Sequence, residues 1–242
     1  MSAILKDVRI GDCRLILGDC LEVMPLLGEF DAVVTDPPYG IGYDKQAAAG
    51  SGKKSGNGFA NKSIYILKDW DSVAPQSAVD LAISIAENSI IFGGNYFDLP
   101  PSKCWLVWDK EINGNFADCE LCWTNIDKPA RLIRHMWNGG IRKGQEARNG
   151  HPTQKPFDVM KWCLGHVGKA ETILDPFMGS GTTLVACAKL GRKGTGIELD
   201  PEYFEIACKR VEEAYRQGDM FTPAPEKPIA PVQIDLLGED AA

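Results

Sequence analysis

The chain lacks an apolar run of the roughly 18 residues that a membrane-spanning helix needs, and it contains no internal repeat. Its first residues, MSAILKDVRIGD, do not have the charged start, apolar middle and small-residue cleavage site of a secretory leader. A soluble cytoplasmic protein with no membrane partner is therefore expected. Paired cysteines are also missing. Of eight cysteines (Cys13, Cys20, Cys104, Cys119, Cys122, Cys163, Cys187 and Cys208), only Cys119 and Cys122 form a C-x-x-C, and no second pair follows at zinc spacing. Most of the others sit inside apolar runs such as LVACAKL, where a reduced thiol acts as a small hydrophobe. No metal is expected, and no disulfide in this compartment.

What is present suits a globular protein. Of 242 residues, 44% are hydrophobic and 24% charged, enough for one sizeable core. The net charge of −7 argues against a nucleic-acid partner until its distribution is considered. Lys128, Arg131, Arg134, Arg142, Lys143, Arg148 and Lys155 face a single acid, Glu146, whereas the stretch from Gly218 to Ala242 is strongly acidic. The overall acidity conceals a basic stretch.

Apolar runs alternate between strand and helix character. Strands are expected at 14–17, 31–36, 89–94, 105–110, 119–125, 172–175 and 193–200, and helices around 19–27, 78–88, 156–167, 180–190 and 201–217. Segment 41–65, rich in Gly, Ser, Lys and Asn, reads as a mobile loop, and 126–150 as basic and irregular. The proline-bearing end, 218–242, reads as a disordered tail. Alternation of this kind predicts one α/β domain over 1–217, a doubly wound, mostly parallel sheet with an antiparallel edge.

Two loops carry chemistry. In ILDPFMGSGTTLVACAKLGRKGTGIELD (173–200) a strand ends at Asp175, a glycine turn follows, and the next strand ends in Glu198. That is the layout of a nucleotide-binding βαβ unit, with glycines admitting a ligand to the backbone and the acid accepting from ribose hydroxyls. The third glycine of G-x-G-x-x-G is missing and no P-loop lysine follows, so a nucleoside cofactor without phosphates fits better than a dinucleotide. S-adenosylmethionine is such a ligand. In VVTDPPYG (33–40), Asp36 closes a strand and two prolines hold the chain extended without N–H groups to donate. Such a turn is rich in acceptors and poor in donors. It suits an amino group on a flat ring, with Tyr39 as a stacking surface.

TDPPYG and LDPFMGSGTT together resemble the DNA amino-methyltransferases that act on adenine N6 or cytosine N4, whose motifs are (D/N/S)-P-P-(Y/F/W) and F-x-G-x-G. With the first motif ahead of the second, the order resembles the circularly permuted β group. GDCLEV (18–23), FGGNYF (92–97), LVWDK (106–110) and HPTQKP (151–156) are similar to further segments of that group. The resemblance implies a Rossmann-like fold, S-adenosylmethionine as cofactor and double-stranded DNA as partner. It implies catalysis by Asp36, Pro37, Pro38 and Tyr39. For the cofactor it implies Asp19, Asp36, Asp175, Pro176, Phe177, Gly179, Ser180, Gly181, Thr182, Glu198, Leu199 and Asp200. His151, Thr153 and Lys155 would lie at its methionine end. Residues 125–150 would form the target-recognition insert, with Lys53, Lys54, Arg131, Arg134, Arg142, Lys143 and Arg148 meeting DNA. A homodimer and a cognate restriction enzyme remain open.

Adenine N6 in a flipped-out base is the first expectation, because serine often replaces the aspartate in N4-cytosine enzymes. RNA or protein-glutamine methylation fits less well, since those enzymes usually carry Asn-Pro-Pro-Tyr after the cofactor motif. A nicotinamide dehydrogenase is opposed by the absent third glycine, and an inactive DNA-binding module by two intact loops. If the basic stretch holds DNA, neutralising Arg142 and Lys143 together weakens binding and makes the salt slope shallower by up to about two, one per phosphate contact. Lys53→Ala with Lys54→Ala gives a smaller loss. Duplex titrations at several salt concentrations decide it; an unchanged slope in the Arg142/Lys143 variant places DNA elsewhere.

Overall fold

A computed structural model of the protein describes residues 2–41, 74–111, 117–138, 141–142 and 154–219. The chain enters as a hairpin of β1 (Ile4–Ile10) and β2 (Cys13–Gly18), turned at Gly11 with φ 55°. A short helix α1 (Cys20–Val23) and a 3-10 turn (Met24–Leu26) lead to β3 (Phe30–Thr35). Then come α2 (Gln76–Ser84), β4 (Ala86–Phe92), a 3-10 turn (Gly94–Tyr96), β5 (Trp105–Asp109), β6 (Cys119–Thr124) and β7 (Arg131–Arg134). A small ribbon pairs β8 (Trp137–Asn138) with β9 (Ile141–Arg142). The last units are α3 (Phe157–His166), β10 (Thr172–Asp175), α4 (Thr182–Leu190), β11 (Lys193–Glu198) and α5 (Pro201–Asp219).

The main sheet runs β1-β2-β11-β10-β3-β4-β6-β5-β7. Five central strands, β2, β11, β10, β3 and β4, are mutually parallel. Successive side chains of a strand face opposite sides, and the core divides accordingly. Leu15, Ala32, Val34, Ile90, Phe92 and Ile173 face α3, α4 and α5 through Met160, Leu164, Leu184 and Phe204. Their neighbours Ile16, Val33, Ile91 and Leu174 face α1 and α2 through Val23, Ala78, Val79 and Ala82. Helices on both faces of a parallel sheet make the Rossmann-like α/β fold read from the sequence.

Several boundaries differ from the sequence reading. The reversed strands are not confined to one edge: β1 is antiparallel at one margin, and β6 runs antiparallel between β4 and β5, well inside the sheet. β1 was not anticipated, because its alternation is half-exposed and interrupted by charges. The helix expected over 78–88 ends at Ser84 and the strand begins at Ala86. The helix expected from 180 begins at Thr182, since Gly181 adopts φ 77° outside the helical region. Pro156 caps α3 from outside it. The stretch read as irregular contains β7, which pairs in parallel with β5 and packs Ile133 against the core, and then the β8–β9 ribbon. Helix α5 continues to Asp219, two residues into the expected tail. The rest of that tail, and the expected loop after Ile41, lie outside the described residues. Among the described residues no helix is long and apolar enough to cross a membrane.

Trp108 anchors the far half of the sheet. It is 1% exposed and its indole N–H donates to the carbonyl of His135 at 2.9 Å. Trp108→Phe keeps most of the ring but leaves that carbonyl unpaired in the interior, a loss of about 1–3 kcal/mol. Urea unfolding measures it; unchanged stability would show that water reaches the carbonyl.

Candidate active site

The site grows out of two adjacent strand ends. β3 and β10 pair in parallel, so Asp36, just past Thr35, and the loop after Asp175 leave the same margin of the sheet. Asp175 joins them. Its carboxylate accepts from the Thr35 hydroxyl at 2.6 Å, the Thr183 hydroxyl at 2.5 Å and the Phe177 N–H at 3.1 Å. Burial pushes its pKa up to about 6, against those three donors. Asp175 thus holds the loop and the start of α4 to β3.

The loop 176–181 turns on glycines. Gly179 and Gly181 have φ of 52° and 77°, which favour glycine, and a Cβ on Gly181 would stand 2.9 Å from that of Ala207 on α5. Glu198 closes the loop from β11: one oxygen accepts from Gly179 N–H and the other from Asp200 N–H, both at 2.8 Å. Burial raises its pKa to about 7, with those N–H groups pulling it down. Arg210, absent from the sequence reading, donates to the Ser180 carbonyl at 2.6 Å, the Ser180 hydroxyl at 2.9 Å and the Thr182 hydroxyl at 3.0 Å. Asp200 accepts from the Glu202 and Tyr203 N–H groups at the start of α5, and the Leu199 side chain is exposed. Asp19 caps α1 through Leu21 N–H at 2.9 Å. It follows the end of β2, where Leu17 lies opposite Glu198, so both acids sit at neighbouring strand ends.

Asp36 differs from the donor-poor turn expected. Its Oδ1 accepts from the Tyr39 hydroxyl at 2.6 Å, and its Oδ2 is paired with the Lys155 ammonium. Lys155 also lies 3.4 Å from Oε2 of Glu120, whose Oε1 is 2.6 Å from Lys110. Burial raises the Asp36 pKa while Lys155 lowers it, and the two carboxylates keep Lys155 protonated against its own burial. Tyr39 is not an open platform either. Its ring stacks on Tyr96 at 4.9 Å and 15°, and the backbone at Gly93 comes close enough that a Cβ there would meet the ring at 2.2 Å. Asp36, Gln154, Lys155, Met160, Asp175, Phe177, Met178, Ser180, Thr182 and Thr183 line one cavity of about 30 Å³. The two motifs, far apart in sequence, therefore share a wall.

Residues 102–209 match the family described as DNA methylase. That match spans a little under half of the chain. The chain is 43% identical over 84 residues to the type II methyltransferase M2.DpnII of Streptococcus pneumoniae, covering 34% of this chain and 31% of that protein. It is 39% identical over 214 residues to the type II methyltransferase M.HinfI of Haemophilus influenzae, covering 83% of this chain and 51% of that one. It thus spans about a third to a half of the length of these relatives. Its fold is that of the M1.HpyAVI–SAM complex, with a TM-score of 0.52, 20% identity, and coverage of 82% of this chain and 99% of that one.

Of the expected site residues, the structure brings together Asp36, Pro37, Pro38, Tyr39, Lys155 and the segment Asp175–Thr182. Lys155 lies at the Asp36 carboxylate. His151, Thr153, Lys53, Lys54, Lys143 and Arg148 lie outside the described residues, and only the backbone of Arg142 is described. Arg131 is exposed on β7, whereas Arg134 is paired with Asp109 at 3.2 Å. Cys119 is exposed and Cys122 buried, on opposite faces of β6, so their spacing makes no joint site. The sequence reading missed Glu120, Lys110, Tyr96 and Arg210. FGGNYF and LVWDK had drawn attention to Tyr96 and Lys110 without a role; Glu120 and Arg210 gave no local signal.

Glu198 yields a pH prediction. Its folded pKa, about 7, is above its ordinary value of 4.5. Between these values the folded chain holds a proton that the unfolded chain releases, so this group's contribution to stability falls as pH rises from about 4.5 to 7. In Glu198→Gln that fall is absent. The variant therefore gains on the wild type by about 1–3 kcal/mol between pH 4.5 and 8. Urea unfolding at the two pH values tests it; a difference independent of pH would show that folding does not shift the Glu198 pKa.

Proposed function

We propose that the protein is a site-specific DNA methyltransferase that transfers a methyl group from S-adenosylmethionine to adenine N6 of a flipped-out base. The observation that carries this reading is the shared cavity, in which Asp36 of one motif and Phe177, Ser180 and Thr182 of the other face the same space. The chemistry of these residues fits the cofactor: a glycine-bearing loop that admits a nucleoside closely, Glu198 for the ribose, Phe177 for an apolar ring, and the negative charge of Asp36 near a sulfonium. When bound, S-adenosylmethionine supplies an electrophilic methyl group.

The residues of the chain supply position and charge. An exocyclic amino nitrogen is a weak nucleophile, because its lone pair is delocalised into the ring. Its N–H groups donate to the Asp36 carboxylate and to the Pro37 carbonyl, which favours pyramidal nitrogen and localises the lone pair. Catalysis is then orientation and electrostatics without a covalent enzyme intermediate. Extrusion of the base costs a few kcal/mol of stacking, partly regained against the exposed ring of Tyr96, which Tyr39 backs. Double-stranded DNA is the partner in this reading, met by Arg131 on β7 and the basic stretch that follows.

Asp36→Ala abolishes methyl transfer and leaves cofactor affinity within about tenfold, or about 1.4 kcal/mol, because the carboxylate serves the base more than the sulfonium. Calorimetry with S-adenosylmethionine and tritiated methyl transfer to DNA measure the two effects. Substantial residual turnover would sink the catalytic assignment. Sequencing modified bases in DNA from expressing cells identifies the base; methylcytosine in place of methyladenine would overturn the choice of adenine N6.

A further inference from the structure

Each oxygen of Asp36 is already engaged by a protein donor, so an arriving base amino group must share an oxygen with one of them or take its place. Tyr39 holds Oδ1 and the Lys155 ammonium holds Oδ2. Tyr39 belongs to the same tight turn and stacks on Tyr96, so it has little room to leave. Lys155 is different, because a second carboxylate stands beside it. Its Nζ is 3.4 Å from Oε2 of Glu120. That oxygen is sealed from solvent and has no hydrogen-bond partner among the described residues. A buried carboxylate oxygen without a donor is unusual, since such atoms are nearly always satisfied.

The Glu120 carboxylate is also fixed in place. Lys110 grips its other oxygen at 2.6 Å, and the Lys110 ammonium rests 5.2 Å from the Trp108 ring centroid. Glu120 and Lys110 lie on the adjoining segments of β6 and the end of β5. An acceptor held this rigidly, unfilled, and next to a shared ammonium is a ready second seat.

We propose that Glu120 is a positioning residue that receives Lys155 when the target amino group arrives at Asp36. The ammonium shifts from Oδ2 of Asp36 to Oε2 of Glu120, shortening 3.4 Å to an ordinary charged hydrogen bond of about 2.8 Å. No proton moves, and no charge enters or leaves the site. The base N–H replaces the ammonium N–H on Oδ2, so Asp36 remains an ionised acceptor throughout. Lys155 shields the carboxylate before the base arrives, and Glu120 makes its departure inexpensive. This inference rests on the methyltransferase reading above.

The test is a double-mutant cycle between Glu120→Gln and Lys155→Met. One readout is methyl transfer, and a second needs no turnover: fluorescence of 2-aminopurine placed beside the target adenine in a duplex, which rises as that adenine leaves the stack, with S-adenosylhomocysteine bound. Glu120→Gln lowers methyl transfer at least about tenfold and reduces the 2-aminopurine signal, while S-adenosylmethionine affinity stays within about threefold. In the Lys155→Met background the same substitution changes the 2-aminopurine signal less than twofold, because no ammonium remains to be received. Glu120→Asp, which retracts the seat by one methylene, gives a loss in the same direction and replaces Glu120→Gln if that variant does not fold. Wild-type activity in Glu120→Gln, or an equal fluorescence loss with and without Lys155, overturns the proposal. A wild-type protein that labels no DNA overturns the methyltransferase reading itself.

Discussion

Asp175 is 3% exposed, and a carboxylate so placed must be met by donors or abandon its charge. It is met by three, drawn from β3, from the loop after β10 and from α4. Each of those donors is a segment that the candidate site needs. Thr35 precedes the Asp-Pro-Pro-Tyr turn, Phe177 opens the glycine loop, and Thr183 begins the helix behind it. The alignment of the two functional turns is therefore tied to one side chain. Burial that raises the pKa of Asp175 to about 6 is the cost of placing the joint inside the sheet margin, where water cannot compete for the donors.

The glycine loop repeats that solution at its other side. Glu198 gathers the N–H groups of Gly179 and Asp200, and Arg210 gathers the oxygens of Ser180 and Thr182. A loop built around two left-handed glycines has few intrinsic preferences to hold it in one conformation. Side chains from β11 and α5 supply the constraint. Glu198 thus shapes the loop through both of its oxygens, in addition to the ribose role that its position suggests.

Much of this was legible in the sequence, and the parts that were not share a cause. Most of the five parallel strands announce themselves as short apolar runs, because strands buried on both faces need apolar residues at nearly every position. Three of them, β3, β10 and β11, run up to Asp36, Asp175 and Glu198. Motif order and strand adjacency then place Asp36 beside the glycine loop. What escaped was long-range pairing among polar residues. Lys155 stands 119 residues from Asp36, and no local pattern marks it as the partner of that carboxylate rather than a surface charge. Glu120 sits between two cysteines in a strand that looks like ordinary core. β1 and β7 escaped for a related reason: edge strands carry charges that blur their alternation. Residues 131–134 read as part of a basic loop because arginines and lysines outnumber acids from Lys128 to Lys155, whereas Ile133 and the pairing with β5 decide the structure.

The network of Asp36, Lys155, Glu120 and Lys110 is hard to account for as a device of stability. Its side chains are 9–20% exposed, and desolvating four charges commonly costs as much as their mutual attraction returns. Apolar residues of similar volume would fill the space between β4, β6 and α3 with less difficulty. The network is balanced in charge, two ammonium groups against two carboxylates, yet it is not balanced in hydrogen bonds. Both oxygens of Asp36 have a donor, while one oxygen of Glu120 has none among the described residues. Optimised for stability alone, Lys155 would sit midway and satisfy both carboxylates. A shared ammonium held to one side, with a vacant acceptor fixed by a separate lysine, is the arrangement expected where one of the two carboxylates has a second donor to receive. That asymmetry, rather than the presence of buried charge, is what ties the network to the Asp36 carboxylate and to the amino group it would bind.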